Sequence, residues 1–427
     1  MKAGTGWVVL PFTRFYKTGM KFLNKIGPGS LIAAAFIGPG TVTVCTLAGV
    51  EFGFTLLWAM GLSIIATLVL QEMTVRLGLV HGKGLAETVK NQIKTPFLKA
   101  FGMLLILSAI VIGNGAYEAG NISGGVLGLE TFFERTTYRF LNMDVNILSI
   151  VIGIIAFILL YIGRYKIIER ALISLVILMS ISFLITAILT KPDLLLLFKS
   201  LFIPKIPEEG ILTIIALVGT TVVPYNLFLH AALVKEKWKG IADLKTAQID
   251  SYTAIILGGI VSMGIIVCGA AIQGSEVSNA AGLAQGLQPL YGEFATYFLS
   301  LGLFAAGISS AITAPLAAAY VSKECFGWKG GMNSTKFRMV WMFILLLGIV
   351  FSSLGFSPIE IIQFAQVANG ILLPVVAGFL LWVMNRNELL GTYKNSVIQN
   401  VFGILIVLTT LILSIRSLDR VFMWNIF

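Results

Sequence analysis

The apolar positions of this chain fall into long unbroken blocks instead of the three-and-four spacing of a soluble amphipathic helix. Windows of roughly 20 apolar residues, the length a helix needs to cross a bilayer, place spans near 30–49, 54–76, 98–120, 145–163, 167–190, 211–234, 249–273, 292–321, 339–354, 359–384 and 397–415. The pattern predicts an all-α integral membrane protein with eleven transmembrane helices. Two spans are interrupted at matching places. Span one carries Gly38-Pro39-Gly40-Thr41 in its middle, and span six, five helices later, carries Val223-Pro224-Tyr225-Asn226. Proline removes a backbone donor and clashes with the preceding turn. Freed amides and carbonyls are tolerable in hydrocarbon only where they line a polar cavity. Interrupted helices at corresponding places in two halves predict inverted five-helix repeats with a solute site between them. Two unrelated proline kinks are the competing reading.

Composition points the same way. Of 427 residues, 57% are hydrophobic and 12% charged, and the mean hydropathy of +0.93 is that of a chain solvated mostly by lipid. The 44 glycines and 12 prolines would spoil soluble helices but are tolerated in closely packed or broken membrane helices. Cys45, Cys268 and Cys325 are too scattered for a disulfide framework or a thiolate metal site and read as packing residues.

The formal charge of +10 follows from topology and needs no nucleic acid. With the N-terminus inside, the outer segments hold only Arg135, Arg139, Lys191, Lys199, Lys205, Arg416 and Arg420 of all the Lys and Arg. This bias predicts a multi-pass protein of the inner (plasma) membrane with a cytoplasmic N-terminus. The basic start of the chain lacks a small-residue cleavage site and does not read as a signal peptide. The expected divisions are an arm at 1–29, repeats at 30–190 and 211–384, and an appended helix at 397–415.

Several motifs in order resemble the Nramp family of divalent-metal transporters, over nearly the whole chain. Gly27-Pro28-Gly29 and Ile37-Gly38-Pro39-Gly40-Thr41 are similar to the family's opening segment, whose break usually reads Asp-Pro-Gly-Asn. Span two ends in Leu70-Gln71-Glu72-Met73-Thr74-Val75-Arg76-Leu77-Gly78, followed by His81-Gly82-Lys83 and Leu85-Ala86-Glu87. Pro224-Tyr225-Asn226-Leu227-Phe228-Leu229-His230 resembles the family's Met-Pro-His-Asn-Leu-Tyr-Leu-His, and Gly307-Ile308-Ser309-Ser310, Gln366 and Pro374 match later. The resemblance implies the LeuT-type fold, with five-plus-five inverted repeats, broken helices one and six, and an eleventh helix. It also implies transport by alternating access.

The family's metal ligands are the Asp and Asn of the first break and the Met of span six. Here these positions are Gly38, Thr41 and Val223. Tyr225 stands for the first His, and Gly115 for an Asp on span three. Glu118 and His230 match the family's Glu and second His. A dehydrated divalent cation needs carboxylate, imidazole or thioether ligands, because burying its charge uncompensated costs many kcal/mol. The altered break, with Gly38, Gly40, Thr41, Thr220, Thr221, Val223, Tyr225, Asn226 and Gln366 as substrate-binding candidates and no metal site, predicts a small carboxylate-bearing or amino-acid-like solute. An example is 5-oxoproline, received by amides at a half-helix N-terminus. A Mg2+ or Mn2+ transporter with a modified site is the alternative, since magnesium keeps several waters and is held by carbonyls and hydroxyls.

For Thr41, Thr220 and Thr221 the competing role is packing, with the hydroxyl on an upstream carbonyl. Tyr225 has the competing role of an aromatic core contact, and Asn226 that of tying the backbone. His230 and Glu118 are the coupling candidates, since buried ionisable groups in a membrane are functional suspects. The coupling ion is H+ or Na+, because carbonyls at the breaks offer a sodium route. Glu72 and Arg76, one turn apart, predict an ion pair near the inner face. No phosphate loop, nucleophile set or metal-ligand cluster suggests an enzyme or a cofactor, and no charged ring suggests a channel. A transport-dead receptor is separated from a carrier by measurable uptake.

Overall fold

The computed structural model describes residues 37–140, 143–163 and 166–422; the predicted arm at 1–29 and the first part of span one lie outside them. Only a helix satisfies its own backbone within lipid, and local signals fix where each helix begins. Pro39, Pro96, Pro224 and Pro358 each stand at a first helical position, where the missing N–H has no intrahelical partner to lose. Ser357 and Glu360 close a reciprocal capping box on the last of these.

The long elements are α1 (Pro39–Phe52), α2 (Leu57–Arg76), the short α3 (Leu85–Gln92), α4 (Pro96–Glu130), α5 (Ile147–Ile162), α6 (Lys166–Leu189) and α7 (Leu194–Phe202). They continue with α8 (Ile211–Thr221), α9 (Pro224–Lys237), α10 (Leu244–Ala270), α11 (Ala295–Phe326), α12 (Thr335–Ser353), α13 (Pro358–Met384) and α14 (Val397–Phe422). A two-stranded hairpin, β1 (Thr137–Phe140) and β2 (Met143–Asn146), precedes α5. Among the described residues, nine helical stretches are long and apolar enough to cross a membrane, with Ile147–Ile162 a shorter apolar helix. Each predicted span contains a helix. Span three was placed at 98–120, yet α4 runs on to Glu130. Gly120, Asn121, Ser123, Gly124, Gly125 and Gly128 dilute the hydropathy there, but they form the face buried against neighbouring helices.

Helix contacts come in pairs that interchange when spans one to five are exchanged for spans six to ten. Helix α1 meets α10, as α2 meets α8 and α9; α4 meets α13 and α12, as α11 meets α6 and α5. The pairs α4 with α11, α2 with α10 and α5 with α12 map onto themselves. This exchange of contacts is the pattern expected of the inverted repeats of a LeuT-type fold. Helix α14 packs outside, against α13, α8 and α2.

Small residues set the closest crossings. A Cβ at Gly49 would overlap the Ile266 carbonyl of α10, and one at Gly269 the Thr46 carbonyl of α1. At the crossing of α8 with α13, Gly219 and Gly370 meet the carbonyls of Gln366 and Ile215 in the same way.

The predicted Glu72–Arg76 pair forms at 2.8 Å and is almost wholly buried. Arg76 also donates to Asn395 Oδ1 (2.8 Å) and the Tyr393 carbonyl (2.9 Å), while Gln248 donates to Glu72 Oε1 (2.8 Å). The pair thereby ties α2 to α10 and to the segment that leads into α14.

Candidate solute-binding site

Both predicted breaks coincide with helix ends. Gly38 is the extended N-cap of α1 (φ −87°, ψ 177°). In span six, α8 ends at Thr221, Val222 and Val223 leave helical geometry, and α9 restarts at Pro224. The N-termini of α1 and α9 carry partial positive charge, and the C-terminus of α8 partial negative charge.

Thr41 Oγ1 and Thr220 Oγ1 lie 2.9 Å apart, joining the two broken spans through a buried hydroxyl pair. Gln366 of α13 lies against both spans: its side-chain amide fills the notch left by Gly40, and its carbonyl abuts Gly219. Its Oε1 is buried and has no hydrogen-bond partner among the described residues. Tyr225 is buried and meets Tyr117 edge-on, ring centroids 5.3 Å apart. A Cβ on Gly38 would stand 3.3 Å from Ser310 Oγ and 3.8 Å from the Tyr117 hydroxyl.

Two candidates are placed differently from the rest. Thr221 donates to the Leu217 carbonyl (2.8 Å) and faces Met60 Sδ of α2 (3.6 Å), so its hydroxyl is already engaged in packing. Val223 is the buried N-cap of α9 and brings only its backbone and an apolar side chain. Asn226 is buried in the first turn of α9, its N–H donating to the Val223 carbonyl at 3.0 Å.

The coupling candidates occupy separate surroundings. His230 Nδ1 donates to Gln71 Oε1 at 2.6 Å, with Thr74 Oγ1 at 3.4 Å. An amide oxygen only accepts, so Nδ1 carries the hydrogen and Nε2 is left as an acceptor. Glu118 is fully buried on α4 against Gly348 of α12. Its Oε2 accepts from Asn121 at 3.4 Å, and its Oε1 has no partner among the described residues.

A cleft of about 210 Å3 runs from Ser309 and Ser310 down α9, between α6 and α11, to Glu169 and Glu236. Ser310, at one end of this cleft, also lies beside Gly38. A larger cleft of about 340 Å3 between α2, α10 and α14 opens beside exposed apolar residues such as Ile256 and Phe402. It is remote from the breaks. Among the described residues, no three His, Cys, Asp or Glu side chains come together in a way that could hold a metal ion.

The family model described as natural resistance-associated macrophage protein-like, Nramp, matches residues 29–418. The chain belongs to the Nramp family. It is similar to the divalent metal cation transporter MntH of Caldanaerobacter subterraneus, 23% identical over 406 residues and covering 92% of each chain. The MntH of Staphylococcus haemolyticus is 26% identical over 432 residues, 94% of this chain and 93% of that one. Among solved structures, the Eremococcus coleocola manganese transporter in complex with an aromatic bis-isothiourea substituted compound superposes with a TM-score of 0.73 at 19% identity. That match covers 95% of this chain and 87% of that one. The inward-facing conformation of Mhp1 gives 0.54 at 15% identity, covering 93% and 91%.

This Nramp protein is thus a multi-pass membrane transporter of LeuT-type fold. Gln71 and Ser310 stand in motifs that resemble the family's, but neither they nor Tyr117 are among the substrate-binding candidates, since nothing in the local pattern of α2, α4 or α11 marks which turn faces the break. The histidine on α9 was the available clue to Gln71, because a buried imidazole requires a partner.

Proposed function

We propose that this Nramp protein is a secondary transporter that carries a partly hydrated divalent cation, Mg2+ or Mn2+, by alternating access between its two repeats at 30–190 and 211–384. The observation that carries the reading is the lining of the break. It is built from neutral oxygens, the Thr41 and Thr220 hydroxyls and the unpartnered Gln366 Oε1, with the α8 carbonyls beside them. A bare cation would be poorly compensated there. A cation that keeps its inner waters turns their hydrogens outward, and an unpaired acceptor such as Gln366 Oε1 receives one. Relatives matched over more than nine-tenths of their length are named divalent metal cation transporters, which favours this reading over the small-carboxylate solute expected from the sequence.

One observation still favours a carboxylate, 5-oxoproline being the example. The amide-bearing N-termini of α1 and α9 both open on the break, and such termini attract anions. A carboxylate group has no hydrogen to offer Gln366 Oε1, whereas bound water and the lactam N–H of 5-oxoproline both do, so it is the naming of the relatives as divalent metal cation transporters that favours the cation.

Solute release follows the cleft toward Glu169 and Glu236, which the distribution of basic residues places on the cytoplasmic side of the inner membrane, where the N-terminus also lies. Glu118 and His230 are the coupling groups for H+, with Na+ at the broken-helix carbonyls as the other coupling ion. Thermal unfolding of the purified protein tests the solute class, because a ligand bound only to the folded state raises stability in proportion to the logarithm of its concentration. Saturable stabilisation by Mg2+ or Mn2+ is expected. Stabilisation by 5-oxoproline with none by either cation overturns the reading.

A further inference from the structure

Gly38 removes a side chain from the middle of the site, and the space has not stayed open. Ser310 Oγ stands 3.3 Å from where a Cβ would lie, and the Tyr117 hydroxyl 3.8 Å from it. These two groups come from α11 and α4, the pair of helices at the centre of the pseudo-symmetric contacts. Tyr117 is held by its edge-on contact with Tyr225, the residue after the Pro224 break, and all three side chains are buried. Ser310 also lines the cleft between α6, α9 and α11.

We propose that Tyr117 is a solute-specificity residue of this transporter: its hydroxyl, with Ser310 Oγ, occupies the reach of the side chain that Gly38 lacks, so the solute meets two neutral hydroxyls there. The inference rests on the proposed divalent-cation function and assigns the cation's form. Hydroxyl oxygens accept hydrogen bonds from metal-bound water, and a phenol is too poor a ligand to replace that water on a transition metal. The site is thereby biased toward Mg2+, which loses water reluctantly, and against a stripped Mn2+. Tyr225 acts through Tyr117, by fixing the ring, and is a positioning residue.

The test is cation uptake into proteoliposomes holding the full chain, with Mg2+ and Mn2+ as separate substrates. Tyr117→Phe removes one oxygen and preserves the ring contact with Tyr225, so folding is expected to be unchanged, which thermal unfolding checks. Loss of one hydrogen bond to a hydrated ion raises the KM for Mg2+ by about five-fold, raises that for Mn2+, which gives up its water more readily, by less, and so lowers the Mg2+ to Mn2+ preference. Tyr225→Phe keeps the ring and shifts the preference less than Tyr117→Phe. Saturable uptake by the natural protein with the same preference in Tyr117→Phe overturns the assignment of Tyr117 and leaves the cation reading standing. Absence of saturable uptake of either cation by the natural protein overturns both.

Discussion

Gly40 and Gly219 sit on the two broken spans and both press on Gln366, but they press on different parts of it, and this separates stability from transport. A methyl group at Gly219 would overlap the Gln366 carbonyl oxygen and stand 2.7 Å from the Gly370 amide nitrogen, both backbone atoms of α13. Ordinary van der Waals contact begins near 3.4 Å. Backbone cannot rotate aside, so Gly219→Ala forces α8 and α13 apart along a crossing where Gly370 interlocks in return. Overpacking of this kind costs about 1–3 kcal/mol, and the rigid partner puts the value near the upper end. A methyl at Gly40 instead overlaps Gln366 Nε2 and lies 2.6 Å from its Cδ, the end of a flexible side chain. Swinging that amide away costs under about 1 kcal/mol but withdraws the unpartnered Oε1 from the break. Gly219→Ala should therefore lower the apparent melting temperature by several degrees, whereas Gly40→Ala melts within a degree or two of the natural protein and loses about ten-fold in kcat/KM for Mg2+. Fluorescence-detected thermal unfolding with proteoliposome uptake reads both quantities. Equal destabilisation by the two substitutions, or normal uptake by Gly40→Ala, would refute the placement of Gln366.

Arg76→Met leaves Glu72 buried with Gln248 as its remaining partner, so it should destabilise by about 3–5 kcal/mol, while the double change Glu72→Met with Arg76→Met should recover most of the loss; a double variant as unstable as the sum of the two single ones contradicts this account of the network. Glu118→Gln keeps the shape of a fully buried group but removes its proton, so a pH gradient should no longer drive accumulation while solute exchange across the membrane persists; retained proton-driven accumulation excludes Glu118 as the coupling group.

Legibility in the sequence followed the physics of each feature. Hydrophobic blocks long enough to cross a bilayer leave a helix no alternative, so each predicted span contains one. The Gly38-Pro39 and Val223-Pro224 breaks were legible because proline has a local steric effect. The extent of α4 was not, because Gly120 to Gly128 look like a loop until α11 and α13 are packed against them. Within the site, Thr41 and Thr220 do meet, but adjacent Thr221 turns its hydroxyl onto Leu217. Neighbours on a helix point about 100° apart, and sequence alone did not say which of the two faces the break. Tyr117 and Ser310 were hidden because their importance lies in the space Gly38 vacates, which exists only once α4 and α11 are assembled around it.

In the proposed function, neutral oxygens at the break carry a hydrated divalent cation. The most direct measurement is uptake into proteoliposomes loaded with a divalent-cation indicator, run beside labelled 5-oxoproline under the same imposed pH and sodium gradients. Saturable Mg2+ entry, faster at equal concentration than Mn2+ entry, is expected, with no concentrative uptake of 5-oxoproline. Gradient-driven accumulation of 5-oxoproline with no entry of either cation would contradict it.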